Sequence, residues 1–280
     1  MSAAAPRIAF VYAAPRRSGA LRGLQVATAL GVDAVRLRDF AAEIGARYDV
    51  VVYVKELPPL GVMETLRRRG VRQVVDVLDN YAWHRSAARL QVADLLIAAN
   101  LSHRIYLQQR FGGAVVAIPH HHCNFDEVRI PAGRTPPTLG YVGRKDDWWL
   151  NRLMLRGLRY PRVHDFKHGR LVDAYLSIDI GFAYRRHAQK RSFNSAVKLV
   201  NYMSFGIPSV LTPESGFLEI ARHGEACLYA QSGGDFRMLL QQLATEPEYR
   251  HAMGERAFEA ARAFHLRRIA ERYRDVLGQL

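Results

Sequence analysis

KRSFNSAVKLVNYMSFGIPSVLTPESGFLEIARHGEACLY, residues 190–229, decides how the rest of the chain is read. It opens on basic residues and continues into a predicted helix with Ser195, Lys198 and Asn201 at i, i+3 and i+6, one face of a helical repeat. Gly206-Ile207-Pro208 stops that helix, a short buried strand follows over Ser209–Thr212, and Gly216 and Phe217 introduce a second helix. A helix that starts beside cations and leads into an apolar strand suits a diphosphate. Its free N–H groups and dipole favour the anion, and the cations neutralise the charge.

Strands and helices alternate on both sides of this stretch. Upstream, Arg7–Tyr12, Val32–Leu37, Val50–Val54, Val71–Val77, Leu95–Ala98 and Val115–Ile118 are expected strands, with helices over Gly19–Leu30, Val62–Arg69 and Ser102–Phe111. Continuous β-branched runs such as VVVYV mark parallel strands covered on both faces. Residues 1–118 therefore form one expected doubly wound α/β domain. The proline-rich, aperiodic segment 119–137 is the expected interdomain linker. Strands Thr138–Val142, Arg162–Phe166 and Ser177–Ala183, with helix Trp148–Leu158, open a second α/β domain over 138–265, and a last helix occupies 266–280. Two such domains facing each other would line a cleft with the carboxyl ends of both sheets.

Composition narrows the setting. Forty Lys and Arg against 26 Asp and Glu give a net charge of +14, which favours anionic partners such as nucleotides or a lipid surface. The excess divides evenly along the chain, and aromatic platforms interleaved with arginine are absent, so nucleic acid is not an expected partner. Cys123 and Cys227 are the only cysteines and have no metal-ligand spacing. With no leader-like N-terminus and no apolar run near the roughly 20 residues of a membrane span, a reduced, cytoplasmic chain is expected.

Lys198-Leu199-Val200-Asn201-Tyr202-Met203-Ser204-Phe205-Gly206-Ile207-Pro208-Ser209-Val210, followed by Glu219-Ile220 and Gly224, resembles the donor-binding half of GT-B glycosyltransferases, especially retaining family 4. Leu139-Gly140-Tyr141-Val142-Gly143-Arg144 is similar to that family's strand-Gly-Arg turn. The resemblance spans roughly residues 138–230. It implies the GT-B fold, two Rossmann-like domains, and transfer of a sugar from a nucleotide diphosphate sugar without metal or other cofactor. It also implies that the C-terminal domain takes the donor and the N-terminal domain takes a saccharide or lipid-linked acceptor of a bacterial surface polymer. The last helix of such enzymes commonly crosses back to the first domain. Enzymes of this kind that act on lipid-linked acceptors sit peripherally at the inner face of the cytoplasmic membrane, where Arg16-Arg17 and Arg67-Arg68-Arg69 would meet anionic lipid.

Site roles follow from chemistry and resemblance together. Arg144, Lys145 and Lys198 are the cations expected on the diphosphate, with Gly143, Ser195, Asn201, Tyr202 and Glu219 around the donor. Arg144 and Lys198 would stabilise the leaving group as charge builds on it. The basic loop Tyr184–Arg191 would cover or steer the phosphates, or stay solvated. Asp79 and His121 are candidate catalytic groups toward the acceptor, and Gly19, His84 and His120 candidate acceptor contacts. The triplet His120-His121-His122 does not suggest a metal, because adjacent extended residues point to opposite sides. The sequence departs from the family pattern at two positions, where Phe193 and Asn201 replace the usual acidic pair. A nucleotide-sugar epimerase in the same fold, or a non-catalytic binder of anionic polymers, are the alternatives.

Overall fold

The computed structural model describes residues 6–78, 83–130, 133–143, 148–165, 171–185 and 193–280, with the main chain alone at 83–85, 164 and 165. The chain divides into two compact units: Met1–His120 with Phe193–Ser195 and Leu266–Leu280, and His121–Ser192 with Ala196–His265.

The first unit is a six-stranded parallel sheet. Its strands are β1 (Ile8–Tyr12), β2 (Asp33–Arg36), β3 (Val50–Val54), β4 (Arg72–Asp76), β5 (Leu95–Ala98) and β6 (Ala114–Ala117), in the order β2-β1-β3-β4-β5-β6. Helices α1 (Val26–Leu30), α2 (Ala42–Gly45), α3 (Leu60–Arg68), α4 (Trp83–Val92) and α5 (Leu101–Phe111) connect them, α1 continuing a π-helical stretch, Gly19–Gln25. Successive residues of a strand face opposite sides. Phe10, Val52, Val74 and Ile97 accordingly build one core, and Val11, Val51, Val75 and Leu96 the other. All five residues of β3 are buried, as a strand covered on both faces requires. Asn100 caps α5 by accepting from the His103 amide, and Gly112, in the left-handed region at φ 69, ends it.

The second unit holds β7 (Leu139–Val142), β8 (Arg162–Asp165), β9 (Ile180–Ala183), β10 (Ser209–Leu211) and β11 (Cys227–Tyr229), all parallel, in the order β11-β10-β9-β7-β8. Its helices are α6 (Trp148–Met154), α7 (Leu171–Leu176), α8 (Val197–Ser204), α9 (Ser215–Leu218), α10 (Gly233–Thr245) and α11 (Pro247–Ala261). Every residue of α8 from Lys198 to Ser204 is buried, which makes it an internal helix whose polar residues Lys198, Asn201 and Ser204 are enclosed with its apolar ones. Helix α12 (Leu266–Leu277) then returns to the first unit, where Ile269, Tyr273 and Leu277 join the core beside Phe10 and Val26. Burying each such side chain contributes about 1.5–3 kcal/mol.

Several expected boundaries shift. The helix of the opening motif starts at Val197, so Ser195 lies before it and shares no helical face with Lys198. Of the segment 119–137, expected as the interdomain linker, the part from His121 onward groups with the second unit. Asn124 donates to the carbonyls of Val128 and Ser204, the Ile130 amide donates to Phe205, and Ile130 packs on that unit's core. Buried backbone groups need partners, and α8 supplies them here. Among the described residues no helix is long and apolar enough to cross a membrane.

In each sheet the strand order reverses once, between β1 and β3 and between β7 and β9. The carboxyl ends of strands beside such a reversal form the crevice where open α/β sheets bind ligands.

Candidate active site

Gly143 directly follows β7, at the reversal of the second sheet. A Cβ built on it would meet the Lys198 Nζ at 2.4 Å and the Tyr141 hydroxyl at 2.7 Å. Glycine is thus the residue that leaves room for the lysine ammonium at this turn. Helix α8 brings Lys198 to that place, its ammonium donating to the Val142 carbonyl and standing 4.1 Å from the centroid of the Tyr141 ring. Lys198 is only 8% exposed, and a carbonyl and an aromatic face hold its amino group at the carboxyl end of β7. Arg144, Lys145 and Asp79 lie outside the described residues, as do the basic-loop residues 186–192.

Other expected donor contacts have structural duties. Tyr202 is fully buried; its hydroxyl donates toward the carbonyls of Gly140 (3.0 Å) and Phe182 (3.2 Å) and accepts from the Val142 amide at 3.3 Å. It ties β7 to β9 from beneath, and burial pushes its phenol above the ordinary range. Its hydroxyl is thus engaged with the backbone of β7 and β9. Asn201 accepts from the Cys123 amide at 2.9 Å, so the residue in the usual acidic position anchors the segment after His122. Glu219 is exposed at the C-terminal end of α9. The buried carboxylate of this region is Glu214, paired with Arg185 at 2.6 Å.

The histidine triplet is not an open array. All three are buried, with His120 assigned to the first unit and His121 and His122 to the second. His121, 1% exposed, donates from Nδ1 to the His122 carbonyl at 2.9 Å, a local contact that holds the loop rather than presenting a base to solvent. The His122 amide donates to Phe264, and its ring lies 5.4 Å from that of His265. Burial, helped by the neighbouring His265 and His121, depresses the His122 pKa to about 3. Among the described residues no three His, Cys, Asp or Glu side chains form a metal-binding group. Burial also pushes both the Cys123 and Cys227 thiols up to about 12, which keeps them protonated at neutral pH.

In the first unit, Gly19 packs closely on the protein's own backbone. A Cβ there would fall 2.1 Å from the Ala14 carbonyl oxygen, so the first helix can approach the turn after β1 only at a glycine. His84 is in the first turn of α4, and its side chain is outside the described set. Phe193, the residue in the other usual acidic position, packs against His103 (5.2 Å between centroids) and Tyr106 (4.9 Å), while Asn194 accepts from the Asn100 side chain. An aromatic anchor has replaced a carboxylate there.

Comparison with known families and structures adds the deciding observation. The model of a family described as glycosyl transferase-like matches residues 139–277, from the start of β7 to the end of α12. Residues 139–277 are similar to the glycosyl transferase-like family. Solved structures extend the likeness to the whole chain as a GT-B fold. HepE from Anabaena, determined with UDP-glucose, superposes with a TM-score of 0.71 at 12% identity, over 98% of this chain and 100% of that one. A glycosyltransferase from Rickettsia africae gives 0.73 at 11% identity, over 98% of each chain. Sucrose-phosphate synthase from Thermosynechococcus elongatus gives 0.65 at 14% identity, over 87% of this chain and 76% of that one. A search of curated proteins found no match.

Within the glycosyl transferase-like segment, the sequence singles out Gly143 and Lys198, which the structure brings together, and gives no sign of the groups that brace the next strand end. Asn151 of α6 exchanges two hydrogen bonds with the backbone of Tyr184 (2.7 and 3.2 Å), and Thr212 accepts from the Arg185 amide at 3.0 Å. Neither residue carries a local signal, since each is a single polar position in an apolar run.

Proposed function

We propose that the chain is a hexosyl-transferring GT-B enzyme that takes its sugar from a nucleotide diphosphate sugar, UDP-linked in the first instance, and passes it to a saccharide or lipid-linked acceptor. The single observation that carries this reading is the Lys198 ammonium above Gly143 at the strand-order reversal of the second sheet. Cleavage of the bond between the anomeric carbon and the diphosphate oxygen leaves negative charge on that oxygen. A preorganised cation there stabilises the transition state more than the ground state. Arg144, next in sequence to Gly143, is the second cation we assign to the diphosphate. The UDP-glucose bound by HepE supports a UDP-sugar as the donor to try first.

With Asn201 and Phe193 in place of the acidic pair, neither position supplies a carboxylate to the donor sugar. With His121 enclosed, Asp79, following β4 of the first unit, is the group we assign to take the proton of the acceptor hydroxyl. The divalent ion is assigned no part, the protein's own cations meeting the diphosphate charge. Titration calorimetry with UDP-, GDP-, dTDP- and CMP-sugars tests this reading. One of them should bind, undiminished by EDTA, and Lys198→Met and Arg144→Ala should each weaken binding by tenfold or more. Binding of none of the four removes the proposal.

A further inference from the structure

Beyond β9 and β10 the chain builds a brace that the family pattern does not mark. The two strands are parallel neighbours, with Leu211 beside Ala183, so the residues that follow them emerge at the same edge of the sheet as Gly143. After β9, the Tyr184 backbone is held at both its amide and its carbonyl by Asn151, and the Arg185 amide is held by Thr212. After β10, Glu214 is buried, its carboxylate 1% exposed, with one oxygen 2.6 Å from the Arg185 guanidinium and the other, Oε2, without a hydrogen-bond partner. Arg185 itself is 14% exposed.

Stability does not account for this pair. Removing a carboxylate and a guanidinium from water costs several kcal/mol per ion, and well-packed apolar residues commonly do as well or better. A carboxylate with an unsatisfied oxygen is a poor solution to packing, but one short charge-assisted contact is enough to hold a guanidinium beside the strand end. The held group stands one strand from the lysine. β9 adjoins β7, and adjacent strands lie about 4.8 Å apart, a span that a diphosphate can bridge. Lys198 is anchored over the end of β7 and Arg185 over the end of β9, flanking the strand-order reversal.

We infer that Glu214 is a positioning residue for nucleotide binding, holding Arg185 as a third cation on the donor's phosphates. Glu214 touches no ligand; it acts through Arg185. This inference rests on the proposed function and is tested so that the two can fail separately. Binding of UDP and of uridine to the full chain is measured by calorimetry and by ligand-observed NMR, for the wild type, Glu214→Gln and Arg185→Gln, with thermal melting as the check on folding.

The carboxamide is isosteric with the carboxylate but lacks its charge, and losing one charge-assisted contact should weaken UDP about tenfold. Uridine, which has no phosphate, should bind all the variants alike. Combining both substitutions should cost no more than either alone, because the two residues act as one unit. If UDP binding is unchanged in folded Glu214→Gln, or if uridine weakens in step with UDP, the positioning role is overturned while the donor site stands. If the wild type binds no nucleotide, the proposed function falls and this inference with it.

Discussion

The stability of the second unit should fall between neutral and mildly acid pH by an amount that one residue largely sets. His122 is 2% exposed, and burial, reinforced by His265 and His121, depresses its pKa from 6.5 to about 3. In the unfolded chain the same imidazole takes a proton near its ordinary value. Below about pH 6.5 the unfolded state therefore binds a proton that the folded state refuses, and stability declines as pH drops, levelling only near pH 3. The slope for one such group is about 1.4 kcal/mol per pH unit, so roughly 2 kcal/mol should be lost between about pH 6.5 and about pH 5. Urea unfolding across this range, for the wild type and for His122→Leu, isolates the effect. The variant keeps the backbone bond to Phe264 and every other titrating group, so its curve should be flatter by that amount. Equal slopes in the two proteins would refute the assignment of a buried, neutral imidazole.

Three further outcomes are expected. Asp76→Asn should destabilise the first unit by about 3–5 kcal/mol in denaturant unfolding, because it leaves the buried Arg22 guanidinium without its carboxylate. Gly19→Ala should lower the melting temperature sharply or prevent soluble expression, since its Cβ would press on backbone at Ala14; a stable variant with weakened acceptor binding would restore a ligand role to that glycine. Tyr202→Phe should cost about 1–2 kcal/mol of stability by stranding the β7 and β9 backbone groups, while leaving UDP affinity of the folded protein within twofold.

Much of the fold was open to sequence reading because parallel strands announce themselves. Val50–Val54 and Leu95–Ala98 are apolar at every position, and the strands have those same bounds. Ends were read less well where helix and turn compete. The Ser195-Ala196 pair fits a helical face by spacing, yet α8 starts only at Val197. At the candidate site, Gly143 and Lys198 could be singled out because the resemblance rests on contiguous residues. The Arg22–Asp76–Tyr273 network could not, since its members are 54 and 197 residues apart and no local periodicity relates them. Glu214 was hidden for a related reason. Pro213-Glu214-Ser215 has the composition of an ordinary turn, and only the folded chain brings Arg185 to it. The histidine triplet shows the opposite error: a conspicuous cluster of chemically versatile groups is largely spent on holding its own loop.

Helix α12 has a consequence for biosynthesis. Its Tyr273 hydroxyl completes the shell around Asp76, in a sheet whose other strands leave the ribosome more than a hundred residues earlier. Until that tyrosine emerges, Arg22 has Asp76 and the Ile118 carbonyl, and Asp76 lacks its hydroxyl donor. The first module to be translated is thus the last to be sealed, after the second module, inserted within it, has had its chance to fold.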